Sequence, residues 1–270
     1  MLRQEQLIER VRALCERDPR VVSALTYGSF TRGEGDEHSD VEFWVFLSAA
    51  DLARLDREAW IREVDRIHAC FENEYGTTVV FFDGLLRGEF HFADVATVGA
   101  VRKWRSLDGA ASPERMLLVD RTGALEAALR EAAARGPLPP TRELAQSLVD
   151  RLLNWLVLGS AVLRRGEHAR ALDALSHVQR HLLWLARLEG GALQHWPTPS
   201  RGFEGDLPAA TRERYGRTTA VLDARSLAAA YAEAWRFGRE LAEALAAAGQ
   251  CDARRALFAE GAAGQPIAGP

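Results

Sequence analysis

The sequence predicts an α/β + α chain: an N-terminal domain with a small mixed β-sheet flanked by helices, then a C-terminal helical bundle. Three observations predict it. Short runs rich in branched and aromatic residues, separated by turn residues, crowd the first half. The segment Gly136 to Pro140 (GPLPP) cannot continue a helix and makes the best boundary in the chain. Beyond it, apolar residues keep a 3.6-residue rhythm over several turns. The expected division is a first domain over residues 1–137, a second over 141–262 and a flexible tail over 263–270.

Each element has its own signal. Leu7, Val11 and Leu14 fall on one face of an opening helix that Pro19 follows. Val21 to Tyr27 reads as a strand broken by Gly28-Ser29, and Val41 to Leu47 as a second strand. Asp56 caps a helix expected to run to Phe71. Thr77 to Phe82 and Glu89 to Val95 are the third and fourth strands, and Arg115 to Val119 is a short edge strand. A helix over 121–135 closes this half. Thr141, with Glu143, opens a long helix carrying Leu144, Leu148, Leu152, Leu156 and Leu163, and Arg165-Gly166-Glu167 turns the chain. A second helix carries Leu172, Leu175 and Leu182. A Gly/Pro-rich loop over 190–208 precedes helices expected over 209–221 and 226–247, and the end from Gly261 reads as a frayed tail.

Composition removes several classes. Hydrophobic residues make up 47% and charged residues 27% of 270, as in ordinary globular chains. The formal net charge is −4, so no broad nucleic-acid footprint is expected. All the basic residues but Lys103 are arginine, which looks like a coding bias. Cys15, Cys70 and Cys251 are scattered, with no metal-binding pair and no disulfide framework. The first residues form a charged amphipathic helix unlike a signal peptide, and no apolar run reaches the roughly 18 residues of a membrane span. A cytoplasmic location with no membrane partner is the expectation.

The chemistry is concentrated between Tyr27 and Phe46, YGSFTRGEGDEHSDVEFWVF. Asp40 and Glu42 open the second strand with one residue between them. Side chains two apart on a strand share a side, with backbones about 6–7 Å apart by strand rise. Two carboxylates held so close need a cation between them. A hard divalent ion such as Mg²⁺ suits them and commonly completes its shell with substrate phosphates. Gly28 permits close approach of the backbone, Ser29 and the amides after it can hold phosphate oxygens, and Arg32 adds a cation. Glu89, in RGEFHF, would lie on a neighbouring strand and complete a set of three acids around a metal-bound triphosphate. Such a set serves nucleotidyl transfer, in which metal ions clamp the attacking and leaving oxygens and an acid receives the hydroxyl proton.

An apolar strand, Gly-Ser, a spacer of ten residues, then acid, apolar residue, acid and a second apolar strand together resemble the DNA polymerase β-like nucleotidyltransferase superfamily. Glu42 stands where many members carry Asp. The segments YGSFTRGEGDEHSDVEF, NEYGT, RGEFHF and LRRGEHARALDALSHVQ sharpen the likeness to the lincosamide nucleotidyltransferases, from the first residue to Trp235. The resemblance implies Mg²⁺-dependent transfer of AMP from ATP, or another nucleotide from its triphosphate, to a hydroxyl of lincomycin or clindamycin, and hence antibiotic resistance. It implies Asp40, Glu42 and Glu89 as metal ligands, Glu89 also as base, and Gly28 and Ser29 as triphosphate contacts. It further implies a homodimer and a helical domain that helps to shape the pocket.

Other readings stand beside these. His91, two residues after Glu89, either lines the acceptor pocket or is a half-buried histidine bonded to backbone. Arg170, His177 and His181 share a narrow arc of one helix; they either reach nucleotide phosphates and the acceptor or form a solvated face. Trp155, Trp184, Trp196 and Trp235 are bundle core or, in part, pocket wall. An aminoglycoside nucleotidyltransferase would draw on further acids such as Glu72, Glu74 and Asp83 to bind a polycation. A toxin–antitoxin module on the same fold would bind a partner without turnover. The Arg170/His177 spacing is that of HEPN-type ribonucleases, but Ala171 stands where those need a polar residue.

Overall fold

The computed structural model describes residues 1–104 and 111–263. These form two compact units, one of residues up to Pro137 and one from Leu138 onward. The first is a mixed α/β unit and the second is helical, as the sequence predicts.

In the first unit, helix α1 (Arg3–Arg17) leads into strand β1 (Val21–Tyr27), the one-turn α2 (Ser29–Arg32) and β2 (Val41–Leu47). Short helices α3 (Ala49–Leu52) and α4 (Arg57–Arg62) precede β3 (Ile67–Glu72), β4 (Thr78–Phe82) and β5 (Arg87–Asp94). A 3₁₀ segment (Val95–Lys103), α5 (Pro113–Met116), edge strand β6 (Leu117–Asp120) and α6 (Ala124–Ala134) complete it. The strands form one sheet in the order β3-β4-β5-β2-β1-β6, with β2 and β5 parallel and the other pairs antiparallel.

Alternation along β2 explains how the sheet is covered. Val41, Phe43, Val45 and Leu47 point to one face and are buried against Leu7, Val11 and Leu14 of α1 and Trp60 and Ile61 of α4. On the opposite face, Leu25 and Phe46 are buried under Val98, Val101, Met116 and the α6 residues Leu125, Ala128 and Leu129. That second cover leaves Glu42 and Glu89, higher on the same face, only partly buried. The two sheet faces therefore differ: one is core along β1 and β2, the other half core and half accessible.

The expected helix from Asp56 to Phe71 is corrected. Asp56 does cap α4, its carboxylate accepting the Ala59 N–H at 3.0 Å. The helix ends at Arg62, however, and Ile67–Glu72 is the edge strand β3. Trp60, Ile61, Val64 and Ile67 are all buried, so a helical period runs on by coincidence into a strand. Pairing with β4 overrides it. The hairpin turn is made by Asn73, whose Oδ1 accepts the N–H groups of Tyr75 and Thr77, and by Gly76 at φ 76°.

In the second unit, α7 (Arg142–Arg164), α8 (His168–Gly190) and α11 (Ala224–Ala247) make the bundle, with α9 (Phe203–Asp206) and α10 (Ala209–Gly216) in the connection and α12 (Arg255–Ala263) packed at the end. Thr141 caps α7, accepting the Leu144 N–H at 3.1 Å. Tyr231 is buried where Gly159 has no side chain and donates to the Ala171 carbonyl at 2.8 Å. Helix α10 is shorter than expected: the Thr218 and Thr219 hydroxyls donate to the Tyr215 and Gly216 carbonyls and end it. Residues 261–263, expected in the tail, are helical, with Gly261 leaving room for the Trp235 ring; the rest of the expected tail lies outside the described residues. No helix among the described residues is long and apolar enough to cross a membrane.

Arg187 is fully buried, at 0% exposure. It donates to the carbonyls of Ala192, Gln194, Pro199 and Arg201 and pairs with Asp206 at 2.9 Å. One guanidinium thus organises the 191–206 connection. Arg187→Met keeps the stem but strands those acceptors. It is expected to cost about 3–5 kcal/mol in denaturant unfolding, and a loss below about 1 kcal/mol would contradict this account.

Candidate active site

The accessible half of the sheet gathers residues from three strands. Glu42 on β2 pairs in register with Glu89 on the parallel β5, and antiparallel pairing sets Tyr27 of β1 opposite Glu42. Asp40 precedes β2 and lies on the same side as Glu42. The loop that delivers it is anchored from α1, since the buried Gln4 amide donates to the carbonyls of Glu37 and Ser39 at 2.9 and 3.0 Å. Tyr27 senses the whole cluster. Burial raises its pKa most, and the charges of Glu42, Glu89 and Asp40 raise it further, so its hydroxyl stays protonated.

Gly28 makes the fit of Glu42 possible. It sits at φ 84°, ψ −150°, a backbone region open chiefly to glycine. A Cβ there would overlap a carboxylate oxygen of Glu42. The chain then enters α2 with Ser29 buried, and the Thr31 hydroxyl donates to the Gly28 carbonyl at 2.8 Å. Gly33, at φ 79°, ends the turn. Arg32 is exposed on α2.

Sequence reasoning missed Arg87. Its Nη1 donates to Asp40 at 2.7 Å and its Nη2 to Glu89, so one guanidinium joins two of the three acids. Burial works against its charge, but the bonds to Glu89 and Asp40 outweigh it and hold its pKa above the usual value. The signal was available: Arg87 precedes Glu89 by two on one strand, hence on one face. Its presence also explains a difference from expectation. Among the described residues, no three His, Cys, Asp or Glu side chains are gathered closely enough to hold a metal. The cation between Asp40 and Glu89 is Arg87. The donor set is nonetheless all carboxylate oxygen, the chemistry that a hard divalent ion takes.

His91 lies one step below Glu89. It is half-buried, but its partners are side chains rather than backbone: its ring stacks on Trp44 at 4.3 Å and 8°, and its Nε2 is 2.9 Å from the Tyr27 hydroxyl. Burial lowers its pKa, which keeps it neutral near neutral pH. Trp44 also packs on Trp104, so this end of the site is an aromatic floor. Of the further acids considered for a polycation, Glu72 already pairs with Arg57 at 3.1 Å and Asp83 with His68 at 2.6 Å, while Glu74 is exposed.

The remaining candidates are in the second unit. Arg170 is exposed and pairs with Glu167 at 3.1 Å. His177 stacks flat on Trp155 at 4.0 Å. His181 is buried; its Nδ1–H donates to the His177 carbonyl at 2.7 Å, and burial holds its pKa down. Of these three, only Arg170 lies on an open face. A cavity of about 430 Å³ in the same unit is lined by Ser176, Arg180, Trp184, Pro197 and Tyr215, so the polar residues facing it are neighbours of those predicted. Trp235 is core, whereas Trp184 lines this cavity.

Carboxylates, a guanidinium and a glycine turn on one accessible sheet face suit chemistry at a phosphate. Comparison with known proteins adds to this. Residues 141–260 match the family model described as the C-terminal domain of lincosamide nucleotidyltransferase-like proteins. That match lies within the helical unit and supports the resemblance read from the sequence and, with it, a nucleotidyltransferase enzyme. No curated protein matches. Among solved structures, the chain is similar to an aminoglycoside 6-adenyltransferase from Bacillus subtilis, with 9% identity, a TM-score of 0.37, and 99% of this chain and 94% of that one covered. It is also similar to a nucleotidyltransferase-like protein from Exiguobacterium sibiricum, with 13% identity, a TM-score of 0.39, and 89% and 76% covered.

The contact between Gly28 and Glu42 can be measured by a double-mutant cycle. Gly28→Ala is expected to destabilise the chain by about 2 kcal/mol through its positive φ and the overlap with Glu42. Adding Glu42→Ala removes the overlap, so the pair should cost about 1 kcal/mol less than the sum of the single changes. Strict additivity would show that the two residues do not touch.

Proposed function

We propose that the chain is an antibiotic nucleotidyltransferase that transfers AMP from Mg²⁺-ATP, or another nucleotide from its triphosphate, to a hydroxyl of a lincosamide. The observation that carries this reading is the pairing of Glu42 with Glu89 beside the Gly28 turn, with Asp40 just before β2 and joined to Glu89 through Arg87. The family match of the helical unit supports the substrate class. The pairing of Glu72 with Arg57, and the contacts of Asp83 with Arg66 and His68, favour a lincosamide over a polycationic aminoglycoside, because fewer acids are left for the acceptor.

Asp40, Glu42 and Glu89 are the residues that would hold the divalent ion, which when bound would withdraw charge from the phosphates and stabilise departing pyrophosphate. Gly28 and Ser29 bring backbone amides to the triphosphate without a side chain in the way. Glu89 receives the proton of the acceptor hydroxyl as its oxygen bonds to the α-phosphorus and the bond to pyrophosphate breaks. Tyr27, kept protonated, offers a hydrogen bond and not a competing charge. His91 and Trp44 form a flat apolar floor below Glu89, suited to the ring of an acceptor. Most of the rate enhancement then comes from positioning and charge stabilisation. A role for Arg32, Arg170, His177 and His181 in binding nucleotide or acceptor, a homodimer and a cytoplasmic location belong to the same proposal.

The test is mass spectrometry of lincomycin, clindamycin and a panel of aminoglycosides after incubation with the protein, Mg²⁺ and each nucleoside triphosphate in turn. An AMP adduct on a lincosamide is expected, slowed at least about a hundredfold by Asp40→Asn. Adducts formed equally well by Asp40→Asn would remove Asp40 from the chemistry. An adduct on an aminoglycoside alone would overturn the acceptor.

A further inference from the structure

Arg87 has no place in the expectations for this site, yet it joins two of its acids. Its guanidinium spans Asp40 and Glu89, the two acids that flank Glu42. It is not locked in: its side chain is 38% exposed, whereas that of Glu89 is 19% exposed. Asp40 is as open, at 37%, so Arg87 can leave and the carboxylates can then close on an ion.

We infer that Arg87 is a positioning residue that substitutes for the divalent cation in the nucleotide-free protein and moves to the nucleotide phosphates when the metal-bound nucleotide arrives. The inference rests on the proposed nucleotidyl transfer. Three like charges, at Asp40 just before β2 and at the paired Glu42 and Glu89, repel one another, and some cation must hold them. Arg87 does so with the carboxylate oxygens that a metal needs, so the two cations compete for one set of acceptors. Once displaced, the guanidinium keeps its charge and its paired donors. The anion within reach on that face is then the polyphosphate, which matches the guanidinium fork as a carboxylate does. Arg87 thus weakens binding of bare metal and strengthens binding of metal with nucleotide, so that the ion enters with its substrate.

A structural role and this role make different predictions. Mn²⁺ binding to the nucleotide-free protein is read by electron paramagnetic resonance, and binding of a non-hydrolysable ATP analogue with Mg²⁺ by calorimetry. Arg87→Met is expected to bind Mn²⁺ about tenfold more tightly than the unaltered protein. The same variant should bind the Mg²⁺-analogue about tenfold more weakly. Arg87→Lys, which keeps the charge but not the fork, should fall between on both. Asp40→Asn is the control for the site and should weaken Mn²⁺ binding. Unchanged Mn²⁺ affinity in Arg87→Met, with Asp40→Asn still weakening it, would overturn the inference and leave the proposed reaction standing. Mn²⁺ binding insensitive to Asp40 would overturn both. A parallel loss of metal and nucleotide binding in Arg87→Met would reduce Arg87 to a structural strut.

Discussion

Repulsion among Asp40, Glu42 and Glu89 is the constraint around which the first unit is arranged. The parallel pairing of β2 with β5 sets Glu42 directly beside Glu89, and the Gln4-anchored loop brings Asp40 to the same side. Nothing in packing requires these acids to meet. Arg87 carries the opposing charge, and Gly28 gives up a side chain so that the Glu42 carboxylate has a place. Charged groups gathered where packing does not require them are a mark of a site kept for chemistry.

The sheet makes such a cluster affordable. Its first face packs against α1 and α4 and supplies hydrophobic stabilisation, while the second is closed only at one end by α6 and the 3₁₀ segment. The accessible end grades from charge at Asp40, Glu42 and Glu89 to aromatic surface at His91 and Trp44. A phosphate-bearing substrate and an apolar acceptor would find suitable surroundings within one strand's length. In the helical unit, Arg187 plays the corresponding structural part, satisfying a connection that lacks regular hydrogen bonding of its own.

Much of this was readable in the sequence because local signals and tertiary structure agree there. Strand β2 alternates cleanly, Gly28 and Ser29 punctuate it from β1, and Asp40 and Glu42 share a side by periodicity alone, whereas Glu89 joins them through the pairing of β5 with β2. Asp56 and Thr141 announced their helices by capping. Strand β3 was not readable, since Val64 and Ile67 extend the helical period of Trp60 and Ile61 and only the partner strand β4 decides the matter. Arg87 went unrecognised for a different reason: attention to acids at metal-binding spacing leaves no reason to ask which cation already neutralises them. His177 and His181 share an arc of α8, but burial and stacking set their environments, and those depend on Trp155 and Trp184, which sequence spacing does not place.

The central claim is that the three carboxylates and the Gly28 turn form one site for a metal-bound nucleotide. A crystal structure with Mn²⁺ and a non-hydrolysable ATP analogue, with the manganese located by anomalous scattering, tests it most directly. The account predicts a manganese peak ligated by Asp40, Glu42 and Glu89, with phosphate oxygens against the amides after Gly28. Manganese and nucleotide bound together elsewhere on the chain, with Asp40 and Glu89 still joined through Arg87, would contradict it.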